Sequence, residues 1–137
     1  MTGPASSPST GLPSTGLPRV GLPRVGLLDR VRAICLALPE AEERETWAIP
    51  TFRIRNKIFA MAHSPGTIWC KAPAGAQAIL IAAARERFFV PPYVGHHGWI
   101  GLRLDGASDW AEVVALLRRS YRMTAPRRLA ALVPEAE

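Results

Sequence analysis

Leu27, Leu28, Val31, Ile34, Cys35 and Leu38 recur at the spacing of one helical face, with Asp29, Arg30 and Arg32 between them. The pattern predicts a helix over 27–38, which Pro39 ends because it lacks an amide hydrogen and clashes with the preceding turn. Residues 40–46, "EAEERET", carry no apolar period and read as an acidic connector. Phe52 and Ile54 then alternate with Arg53 and Arg55, and the apolar pattern resumes at Ile58 and Phe59. This predicts a hairpin turning at Arg55-Asn56, since Asn tolerates a left-handed backbone. Ser64-Pro65-Gly66 makes the next turn, and "TIWCK" is a third strand with Trp69 and Lys71 on one face and Ile68 and Cys70 on the other.

An alanine-rich run free of Gly and Pro predicts a short helix over 75–84. "RFFVPPY" is extended, because a residue preceding proline is pushed out of the helical region. "GWIGLRL" follows as a strand, with Trp99, Gly101 and Arg103 facing one way and Ile100, Leu102 and Leu104 the other. Asp109 and Glu112 have the spacing of a helix cap, ahead of a stripe formed by Trp110, Val113, Val114, Leu117 and Tyr121. "PRRLAAL" is a last short helix opened by proline. Strands in one cluster with helices at the ends imply an α+β fold, an antiparallel sheet rather than a parallel doubly wound one.

Residues 1–26 depart from all of this. Gly-Leu-Pro occurs three times at a period of five, and the prolines and glycines raise the cost of ordering the chain. The segment reads as a disordered leader, which leaves 27–137 as a single domain. It lacks the continuous apolar stretch of a secretory signal, and no run of the chain approaches the ~18 apolar residues of a membrane span. The expectation is a cytoplasmic protein with Cys35 and Cys70 as reduced, buried thiols. The formal charge is +6, and removing Arg19 and Arg24 leaves the domain at about +4. That balance favours phosphate-bearing partners by attraction alone.

The stretch "VPPYVGHHGWIGLRL", 90–104, sets two histidines side by side. In extended chain the side chains of His96 and His97 point to opposite faces and cannot chelate one ion together. With no neighbouring carboxylate or Cys-x-x-Cys, no metal site is expected. The acids Glu40, Glu42, Glu43 and Glu45 read as a solvated loop. Ser120 lacks any nucleophile-elbow context, and no Gly-Lys-Ser/Thr phosphate loop is present. The reading is of a protein that is not an enzyme and needs no cofactor.

The segments "LPEAEERETWAIPTFRIRNKIFA", "IWCK", "RFFVPPYVGHHGWIGLRL" and "LLRRSYRMTAP" occur in an order and spacing that closely resemble the MmcQ/YjbR family, over about 35–126. Two positions depart from the family pattern. Ala48 follows Trp47 where Gly is usual, and Arg55-Asn56 stands where a glycine is typical. The resemblance implies a CyaY-like α+β fold with helices on one face of the sheet, and it implies DNA binding. It carries over no catalytic residue.

Only two of the seventeen basic residues are lysines, Lys57 and Lys71. Lysine is a compact point charge where arginine is a planar fork, so these two positions differ in kind from the rest. If the strands bearing Trp69–Lys71 and Trp99–Arg103 are neighbours, cations and large rings alternate over one surface. Such a surface meets phosphates with charge and bases or sugars with rings. The candidate nucleic-acid site is therefore Arg53, Lys57, Trp69, Lys71, Trp99 and Arg103, serving a monomeric, non-catalytic DNA-binding protein of low sequence specificity. The alternative is a module that binds a protein or a small anionic ligand, with a pocket near Tyr93 and His97.

Overall fold

The computed structural model describes residues 24–134, so the leader expected over 1–26 lies almost wholly outside the described residues. Helix α1 spans Arg24–Leu36 and buries Leu27, Val31 and Cys35, the stripe read from the sequence. Four strands follow: β1 Glu42–Thr46, β2 Ile49–Ile54, β3 Lys57–Met61 and β4 Thr67–Cys70. Helix α2, Ala76–Ala83, leads to β5, Phe88–Phe89. A single 3-10 turn, Gly95–His97, precedes β6, Ile100–Arg103. Helices α3, Trp110–Thr124, and α4, Arg127–Ala130, close the described chain.

All six strands join one antiparallel sheet in the order β1-β2-β3-β4-β6-β5. The α+β class is as expected, with one strand more than the apolar pattern showed. The acidic connector is β1, paired along its whole length with β2 from Glu42↔Arg53 to Thr46↔Ile49. A strand of charged residues gives no alternation to read when it lies at the sheet edge. The hairpin turn does fall at Arg55-Asn56, where φ is 51° and 65°. A bulge follows it: Phe52 pairs with Ala60 and Arg53 with Ile58, which leaves Phe59 as an extra residue in β3.

The core lies between the helices and one face of the sheet. Phe52, Ile54, Phe59, Ile68, Cys70 and Ile100 meet Val31 and Cys35 of α1 and Leu117 and Tyr121 of α3. Phe59 packs edge-on against Tyr121 with ring centroids 5.5 Å apart, and the Tyr121 hydroxyl donates to the Pro39 carbonyl at 2.6 Å. Asp109 caps α3 as its spacing predicts, its Oδ1 accepting from the Glu112 amide at 3.2 Å. The histidine pair departs from expectation. The 3-10 turn brings the rings of His96 and His97 to 3.9 Å between centroids rather than to opposite faces, because an extended strand begins only at Ile100. Among the described residues, no helix is long and apolar enough to cross a membrane, and no group of three or more His, Cys, Asp or Glu is placed to hold a metal ion.

Candidate functional site

Because neighbouring strands are antiparallel, the sheet has two chemically distinct ends. The start of β3, the end of β4 and the start of β6 share one end; the β1–β2 turn, the end of β3, the start of β4 and the end of β6 share the other. Strand β4 separates them by about 10 Å, at ~3.3 Å per residue.

The lysines meet at the first end. Lys57 opens β3 and Lys71 directly follows β4. The last ladder pair between these strands is Ala60↔Cys70. One step on, a bond from the Lys71 amide to the Phe59 carbonyl would come next. It runs instead through the Ser120 hydroxyl, which accepts from the Lys71 amide at 2.8 Å and donates to the Phe59 carbonyl at 2.6 Å. One buried hydroxyl on α3 thus ties the two lysine-bearing strand ends to each other and to the helix.

Arg119, the preceding residue of α3, lies within electrostatic reach of Cys70, the last residue of β4. Its Nε and Nη2 are buried and have no hydrogen-bond partner among the described residues. Its charge reaches the Cys70 thiol: burial pushes that thiol up to about 12, and Arg119 opposes the rise. The Lys71 ammonium is held below its ordinary 10.5, first by partial burial and then by the Lys57 charge beside it. Neither lysine has an ion-pair partner among the described residues. By contrast, Arg32 binds Glu43, Arg44 binds Glu42, Arg55 binds Glu40 and Arg87 binds Glu112. Glu40 is correspondingly held below the usual carboxylate range by its hydrogen bond from Arg55.

The other predicted residues fall in several places. Arg53 is committed internally, donating to the Oγ1 atoms of Thr51 and Thr46 and to Asn56 Oδ1. Strands β4 and β6 are neighbours, and their Cys70↔Ile100 pairing, carried one step on, sets Trp99 opposite Lys71. Arg103 stands at the far end opposite Thr67, its guanidinium 4.6 Å from the Phe89 ring centroid. Trp69 and Trp99 are only 2% and 8% exposed, so these rings pack rather than offer a face to a base. His63 covers Trp69, stacked with centroids 4.2 Å apart. Tyr93 is 80% exposed, turned outward by a left-handed backbone with φ 69°. His97 is exposed as well, and Gln77 fills the space behind this corner by donating to the carbonyls of Gly95 and Trp99.

Sequence reasoning missed Arg119 and Ser120 as site residues. A signal was present: Ser120 falls between Leu117 and Tyr121 on the buried stripe, where a hydroxyl must find partners.

The comparisons with known proteins agree with this architecture. A search of curated proteins finds no match. Among solved structures, the chain is similar to Deinococcus radiodurans protein DR2400, described as carrying a DUF419 domain, with a TM-score of 0.63 and 20% identity. The match covers 70% of this chain and 76% of that one, and at such identity it shows the fold alone. The YjbR family model matches residues 36–123, which run from the end of α1 through nearly all of α3 and include every residue of the lysine cluster. More than half of the sequence is matched, and the chain belongs to the YjbR family.

Proposed function

We propose that this protein binds DNA without catalysis and with low sequence specificity, as a cytoplasmic monomer, using Lys57, Lys71 and Arg119 to neutralise phosphate. The observation that carries this reading is the closeness of Lys57 and Lys71, neither with an ion-pair partner among the described residues, at strand ends that the Ser120 hydroxyl ties together. Like charges brought together without a counterion raise the free energy of the site, and an anion arriving there offsets the rise. The burial of Trp69 and Trp99 removes stacking as a means of readout, which leaves contacts to the backbone of the nucleic acid. A non-catalytic role has support in the same place. Both bonding directions of the Ser120 hydroxyl are engaged, and burial raises the pKa of both thiols, so no activated nucleophile stands beside the cations.

The closeness of Lys57 to Lys71 favours a second reading: a small phosphate-bearing ligand in the same place. One experiment separates the two. Labelled duplex DNA is titrated with the full chain at two salt concentrations, beside Lys57→Ala/Lys71→Ala, with circular dichroism to confirm folding. DNA binding predicts micromolar affinity, a steep log–log salt slope, and a slope shallower by about one unit for each phosphate that the variant no longer neutralises. No binding to DNA at low salt would sink the first reading, and saturable competition by a phosphate monoester would support the second.

A further inference from the structure

We propose that the cavity at the opposite end of the sheet is a binding site for a neutral, largely apolar small molecule, a ring system or short chain carrying one hydrogen-bonding group. The cavity has a volume of about 390 Å³ and lies between α1 and the strand ends. Leu28 and Val31 form its helix wall, and Pro50, Ala62 and Leu104 its sheet wall. The volume falls in the range of small-molecule sites, roughly 300–1,000 Å³. Apolar walls open to water hold poorly hydrated surface, and an apolar occupant removes that cost.

The lining specifies the class of ligand. It contains no Lys, Arg, Asp or Glu, so an ionised ligand would lose its hydration with no counterion to receive it. Of the polar groups, Ser64 and Thr67 are occupied with each other: their hydroxyls lie 2.8 Å apart, and the Thr67 hydroxyl also approaches the Ser64 carbonyl at 3.0 Å. His63 remains. Its ring is fixed by stacking on Trp69, so its edge is a positioned group for a single hydrogen bond.

Trp47 gives an independent pointer to the same place. It is 91% exposed and directly precedes Ala48, a wall residue of the cavity. Both residues have left-handed backbones, with φ 53° and 64°, a conformation that costs free energy for any residue with a Cβ. The chain holds this strain at a turn that leaves a large apolar ring in water, one residue along the chain from the cavity wall. A ligand seated there gives that ring a surface to cover. The inference does not depend on the DNA-binding reading, since the lysine cluster lies at the other end of the sheet.

The test uses the full chain and the neutral fluorophore N-phenyl-1-naphthylamine, with 1-decanol and decanoate as competitors at pH 8. The expected result is saturable one-to-one binding, displaced by 1-decanol and at least tenfold less readily by decanoate. Ala62→Phe and Leu28→Trp fill the cavity from its two walls, so a failure of one to fold leaves the other. Each folded filling variant is expected to lose at least tenfold in probe affinity while its DNA titration is unchanged. Acrylamide quenching supplies a second readout, because Trp69 and Trp99 are buried and Trp110 is partly covered, which leaves Trp47 as the dominant quenchable ring. Quenching is expected to fall as ligand binds. Non-saturable binding, binding that survives filling in a folded variant, or a preference for decanoate would each overturn the proposal.

Discussion

Ser120 replaces one rung of a β-ladder with a side chain, and the replacement has a measurable cost when undone. Ser120→Ala leaves the Phe59 carbonyl and the Lys71 amide without their shared partner in a place closed to water. The expected loss is about 2 kcal/mol, the penalty for stranding buried polar groups, read as a lower urea midpoint at unchanged slope. Lys71 makes a prediction of opposite character. Its ammonium is disfavoured in the folded protein, so folding stability rises with pH from the lowered value up to the ordinary 10.5. A bound phosphate reverses the preference and draws a proton onto the lysine. Phosphate affinity is therefore expected to fall as pH climbs through that lowered value. Lys71→Arg should flatten the profile, because a guanidinium keeps its charge. A flat profile in the parent protein would show that Lys71 takes no part.

At the scale of elements, the β1–β2 hairpin has the same backbone strain as the Arg55-Asn56 turn, but without an Asn to tolerate it. Two residues carrying a Cβ occupy left-handed conformations in succession, in a turn that suits Asn-Gly far better. Ala48→Gly is expected to stabilise the fold by about 1 kcal/mol, measured by urea unfolding, since removing the Cβ clash outweighs the entropy that glycine adds to the unfolded chain. Legibility at this scale followed the periodicities. Helices α1 and α3, the Arg55-Asn56 turn and the Asp109 cap were readable because each depends on residues within one or two turns of chain. Strand β1 was not readable, since "EERET" acquires its conformation from pairing with β2 and has no buried face to leave a period. The 3-10 turn at His96-His97 was hidden for the same kind of reason, fixed by Gly95, Gly98 and the packing of Gln77 behind it.

For the whole molecule, attraction between charges contributes little to holding the fold. The ion pairs have partly or largely exposed partners, and such pairs contribute roughly 0–1 kcal/mol each. The interior is a continuous apolar cluster joining the sheet to α1, α3 and α4. Raising salt from about 50 to 200 mM should then change the unfolding free energy by less than ~1 kcal/mol, while DNA affinity falls by an order of magnitude or more. A comparable salt sensitivity in the two measurements would mean that the apparent binding effect is a folding effect. The candidate site was legible only in part at this scale. The two lysines stood out by composition, and β4–β6 adjacency made Lys71 and Trp99 neighbours, but burial of both tryptophans depends on what lies above the sheet. For Trp69 the cover is His63, which reaches it across the Ser64-Pro65-Gly66 turn and is not marked by any periodicity.

The polarity that concealed β1 also guards the sheet. A strand at the rim exposes unpaired amides and carbonyls that another chain can extend, the first step toward fibrils. Here the rim offers Glu42, Glu43, Arg44 and Glu45 in succession, so a second copy approaching in register would set like charges against each other. The opposite rim is β5, two residues long and interrupted by Pro91 and Pro92, too short to template a growing partner. Both borders of this sheet are thereby closed to uncontrolled polymerisation, one by repulsion and the other by brevity.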